Sequence, residues 1–270
     1  MRVTVLGSGS AGNATLVEAD NVRILIDAGF SGRDIERRLY AVDVDPATVN
    51  AIVITHDHGD HTRGMGVLAR KLQLPLYMTP LTHAACAALL NGTETVRTYG
   101  STAPFTLGPL EVRPFLTVHD AADPVALTVR NLDSGAKLGI ATDLGRPTAA
   151  VRAELAWCHM LVLEANHDDA LLWSGPYPWS VKQRIASSHG HLSNRAAAAL
   201  ARELFHNGLT NVVLAHLSEH CNNGELAQHA VGAALARLRY RGRLSVAPQD
   251  DPMEPVVVRP AGTEQIALAL

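Results

Sequence analysis

At 270 residues, with 47% apolar and 18% charged side chains, the chain has the composition of a core-forming globular protein and not of a disordered or fibrous one. A net charge of −3 gives no whole-molecule attraction to nucleic acid or anionic membrane, so any polyanion contact has to be local. The three cysteines, Cys86, Cys158 and Cys221, are odd in number and lack C-x-x-C spacing, which excludes a disulfide framework and suits a reducing compartment. There is no apolar run of membrane-spanning length and no signal-peptide core, so the expectation is a soluble cytoplasmic protein, one domain over 1–270. The aromatic share is only 4%, which leaves Val, Leu, Ile and Ala to fill the core.

In chain order, residues 3–6 read as a strand that ends in a glycine loop. Residues 14–18 and 22–26 read as two strands joined by the turn signal Asp20-Asn21. Ile35 and Leu39, spaced i and i+4, predict a helix over 31–39. A buried strand at 51–54, a helix at 64–72, a strand at 75–78 and an alanine-rich helix at 81–90 follow. Residues 96–117 read as strands with Gly and Pro turns, and 124–131 with 136–141 as a hairpin across Asp133-Ser134-Gly135. Beyond that, helix and strand alternate: helix 147–155, strand 160–163, helix 194–205 with Ser193 as N-cap, strand 212–215 and helix 225–238. Strand-rich stretches followed by β/α alternation in each half predict an α/β fold, a four-layered αββα sandwich with two mixed sheets flanked by helices.

Gly7-Ser8-Gly9-Ser10-Ala11-Gly12 matches the G-x-G-x-x-G pattern of dinucleotide-binding loops. That motif needs a helix to open at the third glycine, whereas β-prone residues and a turn follow here. No Gly-Lys-Ser/Thr follows either, so it is not a phosphate loop. The segment reads instead as a tight turn letting the backbone pass close to a site.

The densest chemistry lies at 55–61, Thr-His-Asp-His-Gly-Asp-His, straight after the apolar run 51–54. Neutral histidines beside ionised aspartates are electrostatically awkward without a cation. His56 and His58, two apart in an extended segment, point the same way, and Asp60 and His61 sit further round the loop, where they reach a second metal. Further donors follow strands at His119-Asp120, Asp143 and His216.

Together these residues resemble the metallo-β-lactamase superfamily, whose ordered ligand motifs His56, His58, Asp60, His61, His119, Asp143 and His216 match one by one. The resemblance covers the whole chain. It implies two divalent ions (zinc or manganese, iron as a third candidate), with His56, His58 and His119 on one, Asp60, His61 and His216 on the other, and Asp143 bridging. Asp143 separates the chain from true β-lactamases, which use a cysteine there. Asp27 matches the superfamily's supporting aspartate behind the His loop. The segments Leu6-Gly7-Ser8-Gly9-Ser10-Ala11-Gly12-Asn13, Gly175-Pro176-Tyr177-Pro178, Gly190-His191-Leu192-Ser193-Asn194 and His216-Leu217-Ser218 with Asn222-Asn223 are similar to the WalJ/YycJ-like subgroup. That subgroup is viewed as nucleases, with 5′→3′ exonuclease activity on double-stranded DNA.

Glu164-Ala165-Asn166 and His191-Leu192-Ser193 also resemble two loops of tRNase Z, in the second of which the histidine is a proton donor. Asn166 replaces a threonine of that pattern, no tRNA-gripping insertion is present, and the 23 residues between His119 and Asp143 are too few for a β-CASP domain. These departures count against tRNA processing and β-CASP-type RNA cleavage.

The resemblance implies phosphodiester hydrolysis, DNA ahead of RNA, by water activated between two metals. Asp60 would orient or deprotonate that water, and His191 would protonate the leaving oxygen while Glu164 orients its ring. A glyoxalase-like ester or thioester hydrolase and a non-catalytic metal-binding regulator are the competing readings. His159 reads as structural and His83, His206 and His229, in helical stretches, as surface residues, whereas His167, His189 and His220 lie beside site loops and could touch substrate. Arg237, Arg239, Arg241 and Arg243 form the densest basic run, ahead of Arg33, Arg37 and Arg38 and of Lys182 with Arg184. None makes a compelling groove.

Overall fold

A computed structural model describes residues 1–260. The first half builds β1 (Arg2–Gly7), β2 (Ala14–Ala19), β3 (Val22–Ile26), α1 (Gly32–Tyr40), β4 (Ala51–Val53), α2 (Gly59–Thr62), α3 (Met65–Leu72), β5 (Leu76–Met78), α4 (Pro80–Ala85) and β6 (Val96–Thr98). The second half builds β7 (Phe105–Leu107), β8 (Leu110–Leu116), β9 (Val125–Asn131), β10 (Lys137–Ala141), α5 (Ala149–Leu155), β11 (Met160–Glu164), α6 (Asp169–Ser174), α7 (Trp179–Ile185), α8 (Asn194–Glu203), β12 (Asn211–Ala215), α9 (Gly224–Ala236) and β13 (Arg243–Val246). The short β14 (Val256–Val257) then returns to pair with β1.

Two seven-stranded sheets result, in the orders β14-β1-β2-β3-β4-β5-β6 and β13-β12-β11-β10-β9-β8-β7. Each is mixed: β1 to β3 and β7 to β10 run antiparallel, whereas β3 to β6 and β10 to β13 run parallel. The side-chain alternation explains the layering. In β3, Ile24 and Ile26 enter the core between the sheets and Leu25 the core under α1 and α3. In β11, Met160 and Val162 face the other sheet while Leu161 and Leu163 pack on the second layer of helices. Strands buried on both faces need apolar residues at nearly every position, as these have. The predicted αββα sandwich is therefore the observed fold.

The sequence expectations differ from the structure in several places, among them the short helix α2 where a loop was read. The helix expected over 81–90 is broken: α4 stops at Ala85 and a separate 3₁₀ turn occupies Ala87–Leu89. Two short helices, α6 and α7, fill the stretch between β11 and Ser193 where no element was expected, and β13 and β14 extend the sheets. The hairpin turn at 133–135 forms as read, with Gly135 in the left-handed region that its φ of 73° requires.

Strands β4, β8, β10, β11 and β12 all end at one edge of the sandwich, and the predicted donors sit just past those ends. Asp27, Asp143 and His216 each adopt positive φ (61°, 56° and 54°) after a strand. This left-handed step, tolerated by Asp and His more than by most residues, turns the side chain back toward the seam between the sheets. Gly29 holds the His loop from behind. A Cβ there would lie 1.6 Å from the Asp60 carbonyl oxygen and 2.7 Å from the Asn13 nitrogen. Gly29→Ala is therefore expected to destabilise the protein by about 3 kcal/mol, from backbone overlap that rotamer changes cannot relieve. A urea melt with an unchanged midpoint would count against this packing.

Candidate metal centre and active site

Six histidines converge on the seam, and the five predicted as ligands each have one ring nitrogen occupied by an outer partner. His56 Nδ1 lies 3.0 Å from Thr55 Oγ1, which itself donates to Asp27. His58 Nε2 lies 2.8 Å from the Asp120 carbonyl, and His119 Nδ1 3.0 Å from that of Gly190. His61 Nδ1 lies 2.8 Å from Asp27 Oδ2, and His216 Nδ1 2.9 Å from Glu164 Oε1. The remaining nitrogens, His56 Nε2, His58 Nδ1 and the Nε2 atoms of His61, His119 and His216, are left for the interior. Fixing the outer nitrogen sets the tautomer and aims the inner lone pair, which is how metal-binding histidines are prepared.

The inward atoms fall into clusters. Ligand atoms of His56, His58, His119 and Asp143 lie within 4.8 Å of one another, as do those of Asp60, His61 and His216, and those of Asp143, Glu164, His191 and His216. Asp143 touches both of the first two groups, with Oδ2 3.0 Å from His61 Nε2 and Oδ1 3.5 Å from His119 Nε2 and 3.7 Å from His216 Nε2. The structure thus brings together all seven predicted donors in the two predicted sets. His56 Nε2 is buried without a hydrogen-bond partner, an orphan that a cation would satisfy. A mixed imidazole and carboxylate set of this kind suits divalent transition metals.

Glu164, fully buried, is the hub behind the cluster. Its Oε1 lies 2.8 Å from His191 Nδ1 and 2.9 Å from His216 Nδ1, and its Oε2 accepts from Leu144 and Leu192 backbone N–H groups. The predicted Glu164–His191 pair is present in the geometry; the bond to His216 was not read from the sequence. Burial works against the Glu164 charge, but the His191 charge and the hydrogen bonds from His191 and His216 outweigh it and bring its carboxyl to about 2. For Asp60 and Asp143 likewise, burial is outweighed by neighbouring histidines, and both are held well below the carboxylate range. Burial pushes His56 and His119 down, toward the neutral form a ligand needs. His61 and His216 go the other way. Burial opposes their charge, but the Asp143 carboxylate and further acidic partners raise both, His216 to about 10.

In the metal-free protein, then, protons on these two rings neutralise the buried carboxylates. The stability that His216 contributes is whole below about pH 6.5 and is lost as pH rises toward about 10. That of Glu164 is whole above about pH 4.5 and is lost as pH falls through about 2. Chelator-treated protein is expected to be most stable between these limits, with its Tm falling by about 5 °C from pH 6 to pH 9 and excess zinc removing that decline. A Tm that rises over this range without metal contradicts the assignment.

The cleft over the cluster is about 370 Å³ and is lined by His58, Asp60, His119, Asp143, His191 and His216 from the seam, and by Ser10, Tyr177, Arg184 and His189 from its rim. The chain matches the β-lactamase superfamily domain over residues 22–217. It belongs to the β-lactamase superfamily. Its matched relatives include proteins of the YycJ/WalJ group. Exodeoxyribonuclease YycJ of Bacillus anthracis is 36% identical over 239 residues, covering 87% of this chain and 89% of that protein. Exodeoxyribonuclease WalJ of Streptococcus pneumoniae serotype 2 (strain D39 / NCTC 7466) is 34% identical over 242 residues, 87% and 88% of the two chains. The crystal structure of human tRNase Z, short form, superposes with a TM-score of 0.64 at 18% identity over 95% of this chain and 100% of that one, a likeness of superfamily fold.

Against the superfamily frame the remaining sequence candidates separate. His189 lines the cleft and His220 is exposed beside Tyr177, but His167 is buried behind it, in a bridge to Ser193. His159 is structural, its Nδ1 accepting from the Lys137 N–H. The arginines at 237–243 stand at the start of β13, the opposite end of the sheet from His216. Arg37 and Arg38 pair with Asp34, and Lys182 is buried on the Trp173 carbonyl. Asn13 was missed as a site residue: its amide lies 3.1 Å from His61 Nε2 and 3.3 Å from Asp60 Oδ2. The glycine loop is what carries it there, and Ser8 Oγ, bonded to Asn13, also receives the His216 N–H. Only the tight-turn reading of that loop pointed this way. No helix among the described residues is long and apolar enough to cross a membrane.

Proposed function

We propose that this chain is a two-metal nuclease that hydrolyses DNA phosphodiester bonds from a 5′ end. The observation that carries the reading is the Glu164–His191 pair at 2.8 Å, a proton donor fixed beside the metal-ligand cluster. The resemblance to exodeoxyribonucleases YycJ and WalJ over most of the chain supports DNA ahead of RNA.

His56, His58 and His119 would hold one divalent ion and Asp60, His61 and His216 the other, with Asp143 shared between them. Bound there, the ions supply an acidified water and neutralise charge on the phosphate oxygens. The residues do the rest. His191 has its Nδ1 taken by Glu164 and its side chain 19% exposed to the cleft, so its Nε2 is the atom free to carry a proton to the leaving oxygen. Glu164 stabilises the imidazolium and fixes the ring plane. Asp60, held well below the carboxylate range, is a weak base, so it orients water better than it deprotonates it. The metal identity follows availability, since zinc, manganese and iron all accept this donor set.

The test is the purified protein, stripped and reloaded with Mn²⁺ or Zn²⁺, on 5′-end-labelled duplex DNA, on RNA and on a thioester. Release of labelled mononucleotides from the DNA is the expected result, with His58→Ala inactive. Thioester turnover without cleavage of any nucleic acid overturns the nuclease reading, and a fully active His58→Ala variant overturns the metal mechanism.

A further inference from the structure

The chain has only 4 Phe, 5 Tyr and 3 Trp, yet Trp173, Tyr177 and Trp179 fall within seven residues. They belong to the hairpin of α6 and α7, which the proposed chemistry does not use. Trp173 is 44% and Trp179 62% exposed, so they do not serve the core. Their rings pair with centroids 5.2 Å apart, and Tyr177, two residues before Trp179, lines the cleft with its ring 5.5 Å from His220. The hairpin is braced from below by Leu172, Ile185 and Cys221, and Lys182 Nζ ties α7 to the Trp173 carbonyl at 2.8 Å. Pro176 and Pro178 stiffen the turn. Exposed rings on a rigid support are pre-organised for stacking.

Charge points to the same kind of ligand. From 170 to 202 the sequence contains no Asp or Glu, and of its four cations Lys182 is buried on the Trp173 carbonyl and Arg195 pairs with Asp169, which leaves Arg184 at the cleft rim and Arg202 on α8. The acidic groups bordering it are partly spoken for: Asp169 pairs with Arg195, Asp168 caps α6, and Asp120 stands 3.9 Å from Arg184. The cleft itself, at about 370 Å³, is on the scale of one small molecule such as a nucleotide. A strand end whose bases are unpaired as it enters the site would present their faces to neighbouring rings.

We propose that the α6–α7 hairpin is a stacking platform for unpaired bases of the strand being cut, beginning at Tyr177 in the cleft and continuing over Trp173 and Trp179. The inference rests on the nucleic-acid reading above. Base–aromatic stacking is tolerant of sequence, which suits an enzyme that degrades whatever strand it holds. Arg184 at the cleft rim would meet the phosphates between the stacked bases.

The experiment uses the full chain in a Trp157→Phe background, so that intrinsic fluorescence reports the hairpin alone. Single-stranded oligonucleotides are expected to quench it, and Trp173→Ala/Trp179→Ala, whose binding is read by the anisotropy of a dye-labelled oligonucleotide, is expected to raise both Kd and KM by about tenfold or more. Its turnover of bis(p-nitrophenyl) phosphate, too short to reach the tryptophans, should stay unchanged. An oligonucleotide abasic beyond its first nucleotide should bind the parent weakly and the double variant equally weakly. Absence of quenching, unchanged oligonucleotide binding by the double variant, or an equal further loss on the abasic strand overturns the platform. Quenching without cleavage by the parent leaves the platform standing and removes the nuclease reading; cleavage with an indifferent double variant does the reverse.

Discussion

The His191→Ala variant is expected to cleave DNA about 10²- to 10⁴-fold more slowly than the parent, the range a positioned general acid supplies. His191 stands in a group with Asp143, Glu164 and His216, but its Nδ1 is taken by Glu164, so its removal should leave the metal content unchanged if it serves as the acid and not as a ligand. The loss should fall in kcat, since the proton is needed only as the leaving oxygen departs. A substrate that leaves as p-nitrophenolate needs no proton, so on bis(p-nitrophenyl) phosphate the variant should approach parental turnover. Glu164→Gln should behave differently. It removes the charge that fixes His191 and also the partner of His216, 2.9 Å away, so it should lose metal as well as activity. Equal loss by His191→Ala on both substrates would mean that the residue shapes the site and donates nothing.

Asp143→Asn is expected to cost more than the about 10- to 100-fold typical of an outer partner's loss, because Asp143 stands between both donor sets. The shared carboxylate approaches His61, His119 and His216 within 3.7 Å. Asparagine tolerates the positive φ of this position, so the variant separates lost charge from backbone strain. Elemental analysis should find at most one firmly held ion per chain where two are expected in the parent. The metal-free variant should also lose part of the alkaline fall in stability, since Asp143 is a principal reason for the raised His61 and His216. Retention of two ions at parental activity would remove Asp143 from the centre.

Much of this was legible because the chemistry is concentrated at strand ends. A polar cluster directly after a buried strand has few places to go, and 55–61 declared itself by density alone. His119, Asp143 and His216 were legible by the same rule. The Glu164–His191 pairing was not: 27 residues separate the two, and only the likeness to known loops joined them. Asn13 was illegible for a related reason, since its approach to Asp60 depends on how the β1–β2 turn packs against α2. The short helices α6 and α7 have six and seven residues around a Gly-Pro turn, too few for a helical period to stand out. At 81–90, alanine content favoured one helix, but the chain departs from helical geometry at Cys86 (ψ 3°), and Cys86 is buried in the first helical layer's core. Tertiary burial there overrides local propensity.

The seam between the sheets has a temporal consequence. The first sheet supplies His56, His58, Asp60 and His61, the second supplies His119, Asp143 and His216, and β14 comes back from beyond both to close the first sheet beside β1. A chain emerging from the ribosome therefore holds its most reactive loop early and has nothing to complete it for roughly a hundred and fifty residues more. The full donor set exists only once both sheets are in place, so chemistry that needs all of it comes late in synthesis.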